Sequence, residues 1–480
     1  MSKSNIGLIG LAVMGENLVL NMESKGYSVS VFNRTWSVAE KFIEGRARGK
    51  NINGFKTIDE FIDSLESPRK IMMMVRAGSA VDELIEALIP KLSKGDILID
   101  GGNSNHEDTT RRVNYVESKG LLYVGAGVSG GEEGALKGPS IMPGGSHEAW
   151  PHISRIFYDI SAKANDGSPC CEWIGGGGSG HFVKMVHNGI EYGDMQIISE
   201  GYHIMKEISA MNNEQIAAAF SEWNKGRMQS YLTEITSKIV NYKDVDGEYL
   251  LDKILDTAGQ KGTGKWSVIN AMEHGLPLNL IASAVFERSL SAQKELRIEA
   301  SDIYSDLSSV SKQLNLNDIS DSLYASKLVS YAQGFELLKK ASDQFGWNIN
   351  LSSVALIWRN GCIIRSEFLN KIADAFKANG DLKNILLDSY FVGEIKSSFD
   401  GWKRTIAVAA EANIPVPAFS SAYNYFLSFR SGRLPANLIQ AQRDFFGAHM
   451  FERTDKPRGE FFHENWTGEG GDTSSRIYIV

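Results

Sequence analysis

The chain has 480 residues, 42% of them hydrophobic and 22% charged. Single hydrophobic cores stop growing near roughly 250–300 residues, so two or three domains are predicted, and no run approaches the ~20 apolar residues of a membrane-spanning helix. The formal charge of −8 argues against nucleic acid or an anionic membrane as a partner, so any anionic ligand must be held by a local cluster of cations.

The first apolar stretch, Ile6–Gly15 after Lys3, is punctuated by glycine, runs into Glu16 and Asn17, and has no small-residue cleavage site. It reads as part of a folded domain rather than a secretion signal. Strands are predicted at Asn5–Ile9, Ser28–Phe32, Lys70–Val75, Ile97–Asp100 and Leu122–Gly125, with a further one near Ser140–Pro143. Helices are predicted between most of them, at Asn17–Lys25, Val81–Leu92 and Asp108–Lys119. That alternation predicts an open, mostly parallel sheet with helices on both faces.

The first strand leads into Gly10-Leu11-Ala12-Val13-Met14-Gly15 and then a helix. This is a variant of the dinucleotide fingerprint G-x-G-x-x-G, with alanine in the second place. The first glycine makes the turn, the last lets the helix pack on the strand, and the helix N-terminus offers its unpaired N–H groups to a pyrophosphate. Glycine-rich turns are common, but this one sits in the strand–turn–helix context the fingerprint requires. The second strand ends in Asn33-Arg34-Thr35. A carboxylate there would accept bonds from a ribose 2′-OH and repel a 2′-phosphate. Asn33 removes the repulsion, while Arg34 and Thr35 supply a cation and a hydroxyl, so the predicted cofactor is NADP. Two later strand ends, Val75-Arg76-Ala77 and Asp100-Gly101-Gly102-Asn103-Ser104, are expected to face the same ligand, although each also suits a plain turn between strand and helix.

A second glycine-rich loop, Gly125–Gly134, follows the fifth strand. Ser129 and the amides of Gly130 and Gly131 can form a nest for a carboxylate, or an ordinary turn. The three cysteines, Cys170, Cys171 and Cys362, are too few and too oddly placed for a disulfide framework and read as reduced thiols of a cytoplasmic protein. The Gly-rich segment Gly175–Gly180 marks a boundary. Beyond it strand-like runs nearly vanish, and helical patterns cover His181–Ile208, Ile281–Leu307 and Leu323–Phe345. Glu200-Gly201-Tyr202, Trp223-x-x-Gly226 and Tyr231-Leu232 have counterparts in Gln333-Gly334-Phe335, Trp358-x-x-Gly361 and Phe368-Leu369, as an internal duplication would produce. The last ~35 residues hold too little apolar content for a core and read as a tail that docks on another surface.

Lys184, His187, Asn188 and Glu191 stand at i, i+3, i+4 and i+7, on one face of a helix. Any one of them alone is more simply a satisfied polar residue. Four among Val183, Met185, Val186 and Ile190 point instead to a site, because each buried polar group needs a partner. The residue types suit acid–base chemistry: a lysine of lowered pKa as base, and a carboxyl of raised pKa as acid. No spacing of histidines, cysteines or carboxylates suggests a metal site.

Taken together, Gly10–Gly15, Asp100–Asn103, Gly127–Ala135, Lys184–Tyr192, Lys261–Trp266 and Leu434–His449 resemble the decarboxylating 6-phosphogluconate dehydrogenases of the β-hydroxyacid dehydrogenase superfamily, over nearly the whole chain. The resemblance implies a Rossmann-like, doubly wound α/β domain over residues 1–177, an all-α substrate and dimerisation domain over 178–435, and a tail over 436–480 that reaches the partner subunit. It implies oxidative decarboxylation of 6-phosphogluconate to ribulose 5-phosphate with NADP, a step of the pentose phosphate pathway and of gluconate utilisation. Lys184 falls on the family's base and Glu191 on its proton donor. Asn103, Ser129, Gly130, Gly131, His187 and Asn188 fall on contacts to the substrate's carboxylate and hydroxyls. Tyr192, Lys261, Arg288, Arg443 and His449 fall on the phosphate cluster, the last two coming from the second subunit of a homodimer. Ala12 replaces the fingerprint's usual glycine and slightly narrows the approach to the pyrophosphate. A 3-hydroxyacid dehydrogenase of the same superfamily that does not decarboxylate would share the fingerprint and the lysine but have no use for the phosphate cations. A non-catalytic NADP-binding scaffold would have no need of Lys184 or Glu191.

Overall fold

Short apolar runs ending in glycine or polar turns make the strands, and longer amphipathic stretches make the helices, of a computed structural model that describes residues 3–260, 262–307, 310, 312–470 and 474–475. The order from the N-terminus is β1 (Ile6–Ile9), α1 (Val13–Ser24), β2 (Val29–Phe32), α2 (Trp36–Glu44), β3 (Ile52–Phe55), α3 (Ile58–Asp63), β4 (Lys70–Met73) and α4 (Ser79–Leu88). Then come β5 (Ile97–Asp100), α5 (His106–Ser118), β6 (Leu122–Val128), α6 (Gly131–Lys137), β7 (Ile141–Gly145) and α7 (Trp150–Ile160). The strands form one sheet in the order β3-β2-β1-β4-β5-β6-β7, parallel except for β7, which runs against β6. Helices cover both faces, and the alternation along a strand records it. Ile97 and Ile99 pack with Leu18, Phe42 and Phe157 on one side, while Leu98 packs with Ile85, Val113 and Val116 on the other. The edge strand β3 was not predicted: Ile52-Asn53-Gly54-Phe55 has one buried residue and no apolar run long enough to register.

Chain order reverses across the β1–β4 pair, so the loops after these two strands diverge and leave a crevice at the carboxyl end of the sheet.

The chain continues with α8 (Ser179–Glu207), α9 (Asn213–Trp223), α10 (Tyr231–Val240), α11 (Thr263–Glu273), α12 (Asn279–Ser291), α13 (Lys294–Ile303), α14 (Leu316–Phe345), α15 (Leu351–Ile357), α16 (Leu369–Ala378), α17 (Ser389–Glu411) and α18 (Pro417–Phe429). The pattern Ile281–Leu307 is not one helix but α12 and α13. At the break, Ser291 Oγ donates to the Arg288 carbonyl and the Arg297 guanidinium takes the Ser291 carbonyl, so the groups a continuing helix would pair are satisfied locally. The long helices α8 and α14 pack together, and α14 also packs on α17. Their approach is close: a Cβ on Gly334 of α14 would come within 2.6 Å of the Ile190 side chain of α8. Lys327 of α14 pairs with Asp194 of α8, both buried. No helix among the described residues is long and apolar enough to cross a membrane.

Two compact units are present, Met1–Ala422 and Tyr423–Val480. The second contains α19 (Ala436–Gly447) and a small antiparallel pair, β8 (Phe451–Glu452) with β9 (Phe461–Phe462). Among its described residues only Tyr425 and Asp444 are buried. Asp444 organises it, accepting from Met450 N, His463 Nδ1, Glu464 N and Trp466 Nε1 at 2.8–3.0 Å. Burial opposes the charge on Asp444, but these donors outweigh it and hold the carboxyl below its ordinary value.

Candidate active site

Glycines on β6 and at the start of α8 allow the two elements to touch. A Cβ on Gly127 would clash with Lys184, and one on Gly180 with the Gly125 and Met142 carbonyls. Side chains at these two positions would push α8 off the sheet. As the chain stands, Lys184 lies directly over β6, next to the loop that carries Ser129.

Lys184 is buried, and its Nζ lies 3.3 Å from His187 Nδ1. His187 Nδ1 is also 3.1 Å from Asn188 Oδ1, and its Nε2 is 3.2 Å from Ser129 Oγ. Trp358 packs edge-on against the imidazole at 5.6 Å between ring centroids. One turn further along α8, Glu191 Oε2 is 3.8 Å from His187 Nδ1. Asn188 Nδ2 donates to Thr263 Oγ1 at 3.0 Å, tying α8 to α11. Tyr192 is buried, and the Arg288 guanidinium of α12 stacks on its ring at 3.5 Å while donating to the Gly259 carbonyl. Five side chains of α8, one of α12 and one from the β6 loop therefore share one small volume.

The electrostatics follow from dryness. Burial lowers the Lys184 pKa, and Glu191 only partly opposes it. Burial likewise raises the Glu191 carboxyl, against the pull of Lys184 and Arg288. Burial first, and the Lys184 charge second, push His187 well below the usual histidine range, so its ring is neutral at physiological pH. The pair tends toward an uncharged amine beside a protonated carboxylic acid, a base and an acid on one helix face.

The crevice at the carboxyl end of the sheet supplies room for a dinucleotide. One cavity, about 590 Å³, is lined by Gly10, Leu11, Ala12, Asn33, Arg34, Thr35, Val75 and Arg76. A second, about 870 Å³, is lined by Ala12, Val13, Met14, Gly15, Val75, Arg76, Ala77, Asn103, Val128, Thr263 and Trp266. Gly10 has φ +102°, and a Cβ there would sit 2.5 Å from the Met74 carbonyl, so the turn admits only glycine. The Leu11 N–H donates to Asn33 Oδ1 at 3.1 Å, and Asn33 Nδ2 donates to the Thr35 carbonyl at 3.0 Å. Asn33 thus holds the fingerprint loop in place, whereas Arg34 and Thr35 stand exposed at the cavity wall.

Residues 5–175 match the NAD binding domain of 6-phosphogluconate dehydrogenase, and residues 180–466 match the 6-phosphogluconate dehydrogenase C-terminal domain. The decarboxylating 6-phosphogluconate dehydrogenase of Haemophilus influenzae is 53% identical over 100% of this chain and 99% of its own length. The human enzyme of the same name is 52% identical over 100% of both. The chain belongs to the 6-phosphogluconate dehydrogenase family. Among solved structures, a Plasmodium falciparum 6-phosphogluconate dehydrogenase superimposes with a TM-score of 0.92 at 44% identity, covering 96% of this chain and 100% of that one. It is described in its apo form, with its cofactor NADP+ and with its substrate 6-phosphogluconate.

Within this 6-phosphogluconate dehydrogenase fold, Lys184, Glu191, His187, Asn188, Ser129, Tyr192 and Arg288 are gathered around one stretch of α8. Gly130 and Gly131 sit where β6 turns into α6, both with positive φ. Asn103 is exposed on the wall of the larger cavity. Arg443 and His449 lie in the second unit, where Arg443 donates to Gln440 Oε1 at 2.9 Å and His449 Nδ1 is 2.9 Å from Ser475 Oγ. Lys261 is outside the described residues. Thr263, Trp266 and Gln260 also line the larger cavity, and sequence reasoning assigned them no role. The signal for Thr263 and Trp266 was the tract Lys261–Trp266, a family motif without a task for each residue; Gln260 lies just before it.

Proposed function

We propose that this chain oxidises 6-phosphogluconate with NADP+ and releases CO2, forming ribulose 5-phosphate. The observation that carries this reading is the buried Lys184–Glu191 face, set beside a dinucleotide crevice in a chain of this family. Gly10–Gly15, Asn33, Arg34, Thr35, Val75, Arg76, Ala77 and Asn103 would hold NADP+, which when bound supplies the acceptor for a hydride. The lining fits: a glycine turn against a helix N-terminus for the pyrophosphate, and an exposed arginine and threonine after β2, where Asn33 stands in place of a carboxylate, for the 2′-phosphate.

Lys184, whose charged form burial disfavours, takes the C3 hydroxyl proton as the hydride leaves C3. The resulting ammonium then polarises the new ketone. Because that ketone lies β to the carboxylate, it accepts the electron pair released when the C1–C2 bond breaks and CO2 departs. Glu191, whose acid form the same burial favours, protonates the enediol at the former C2, which becomes C1 of ribulose 5-phosphate. Asn103, Ser129, Gly130, Gly131, His187 and Asn188 would orient the carboxylate and hydroxyls. Tyr192, Lys261 and Arg288 would take the phosphate together with the partner subunit's Arg443 and the partner subunit's His449. Exposed apolar side chains on α12 and α13, among them Phe286, Leu290, Leu296 and Ile298, support a homodimer. The assignments of residues 1–177 to cofactor binding, 178–435 to substrate binding and dimerisation, 436–480 to the partner's site, and of the enzyme to the cytoplasm, belong to the same reading.

The deciding assay follows reduced nicotinamide by absorbance with 6-phosphogluconate and NADP+ while measuring released CO2. Equal amounts of both products are expected. Reduction without CO2 would assign a non-decarboxylating hydroxyacid dehydrogenase, and no reduction would end the proposal.

A further inference from the structure

Helix α5 carries three buried polar side chains at i, i+3 and i+6, and each leaves in a different direction. His106 Nε2 meets Asn270 Oδ1 of α11 at 2.9 Å, and Thr109 Oγ1 meets His181 Nδ1 of α8 at 2.7 Å, one turn before Lys184. The third is Arg112, whose side chain is 0% exposed. Its Nε and Nη2 donate to the two oxygens of Asp82 in the first turn of α4, each at 2.9 Å, and Nη2 also donates to the Gly78 carbonyl at 3.0 Å. On its other side, Nη1 reaches Ser104 Oγ at 3.4 Å and lies 3.7 Å from Asp100 Oδ2.

Asp100 is itself a clamp. It accepts from the Gly102 N–H at 3.0 Å and from Ser104 Oγ at 2.6 Å, closing the loop that presents Asn103, and it takes Tyr123 OH at 3.2 Å from β6. The two loops that Arg112 joins, 75–78 after β4 and 101–104 after β5, both line the larger cavity. Among the described residues, Arg112 is the one side chain that hydrogen-bonds to both loops. A planar fork of five donors can bridge them in one geometry, which a lysine's point charge cannot.

We propose that Arg112 is a positioning residue for the nicotinamide cofactor, setting the spacing of the two loops that form the cavity wall. It does not touch the reacting atoms. This rests on the reading of that cavity as the NADP+ site, and it adds a residue that the fingerprint alone would not reveal.

The test is a set of variants, Arg112→Lys, Arg112→Met, Asp82→Asn and Ser104→Ala, compared by fluorescence titration with NADPH and by steady-state kinetics. Arg112→Met is expected to raise Kd for NADPH and KM for NADP+ about tenfold, the scale of one lost charge-assisted hydrogen bond, with KM for 6-phosphogluconate little changed. Arg112→Lys should fail to restore cofactor affinity, because it keeps the charge and loses the fork. Asp82, partly exposed, can lose its charge without unpacking the core, so Asp82→Asn decides the matter if the Arg112 variants do not fold. Its KM for NADP+ should rise in the same selective way, and Ser104→Ala should do so more weakly. A lowered melting midpoint with unchanged cofactor affinity in the folded fraction would overturn the proposal, leaving Arg112 a stabiliser only. Wild-type enzyme that does not bind NADPH would instead overturn the cofactor reading itself, so the two failures are distinguishable.

Discussion

Lys184 and Glu191 are seven residues apart on one helix, and the roles proposed for them depend on their being dry. An exposed lysine stays charged at neutral pH and cannot accept a hydroxyl proton, but burial moves Lys184 down and Glu191 up toward the forms the chemistry requires. Lys184→Met should lower kcat by roughly 10²–10⁴-fold, the range for a positioned acid–base group, while NADPH binding measured by fluorescence stays intact. Turnover near wild type would remove Lys184 from its role. The rate should rise with pH as Lys184 deprotonates, along a limb below the ordinary lysine range, and fall as Glu191 ionises, along a limb above the ordinary carboxyl range. Glu191→Gln should erase the alkaline fall in whatever activity remains. At the far end of the cofactor crevice, Arg34 is exposed with Thr35 beside it. Arg34→Glu should reduce the preference for NADP+ over NAD+ about tenfold or more in kcat/KM, since a carboxylate would face the 2′-phosphate. Unchanged discrimination would place that phosphate elsewhere.

At the scale of elements, α8 is positioned from three sides: β6 beneath it, α14 across it and α18 at its far end. The last contact is made by Glu200, whose buried carboxylate accepts from Ala418 N at 2.8 Å and Phe419 N at 2.9 Å, the first free amides of α18. Burial raises its pKa from 4.5 to about 7, against the pull of its hydrogen-bond donors. Between these values the folded chain holds a proton that the unfolded chain has released, so this site's contribution to stability is full below 4.5 and is lost as pH rises to about 7. The slope is at most about 1.4 kcal/mol per pH unit. Unfolding free energies measured near pH 5 and near pH 7 should therefore fall more for wild type than for Glu200→Gln. Parallel slopes would mean that Glu200 does not titrate in this window. The polar face of α8 was legible because four polar residues at helical spacing interrupt an apolar run. The strand β3, with a single buried residue, offered no such contrast, and the break between α12 and α13 depends on hydroxyl and guanidinium contacts that periodicity does not reveal.

For the whole molecule, the strongest prediction concerns the second unit. If Arg443 completes the partner's phosphate site, chains carrying Lys184→Met and chains carrying Arg443→Ala, each inactive alone, should regain activity when mixed. Random exchange makes half the dimers mixed, each with one intact site, so about a quarter of wild-type activity is expected. Differentially tagged chains would verify exchange, and exchange without recovery would confine each site to one subunit.

The sequence by itself determined the alternation of strands and helices before residue 175, apart from β3, the glycine turn for a dinucleotide and the polar face of α8, because each is written in residues close together along the chain. Only the tertiary structure decided which of those residues lose contact with water, that Thr263 reaches Asn188, and that Arg112 spans two loops through Asp82 and Ser104. Burial and long-range hydrogen bonds are made by packing, and the packing that dries Lys184 comes from elements up to about two hundred residues away in the chain.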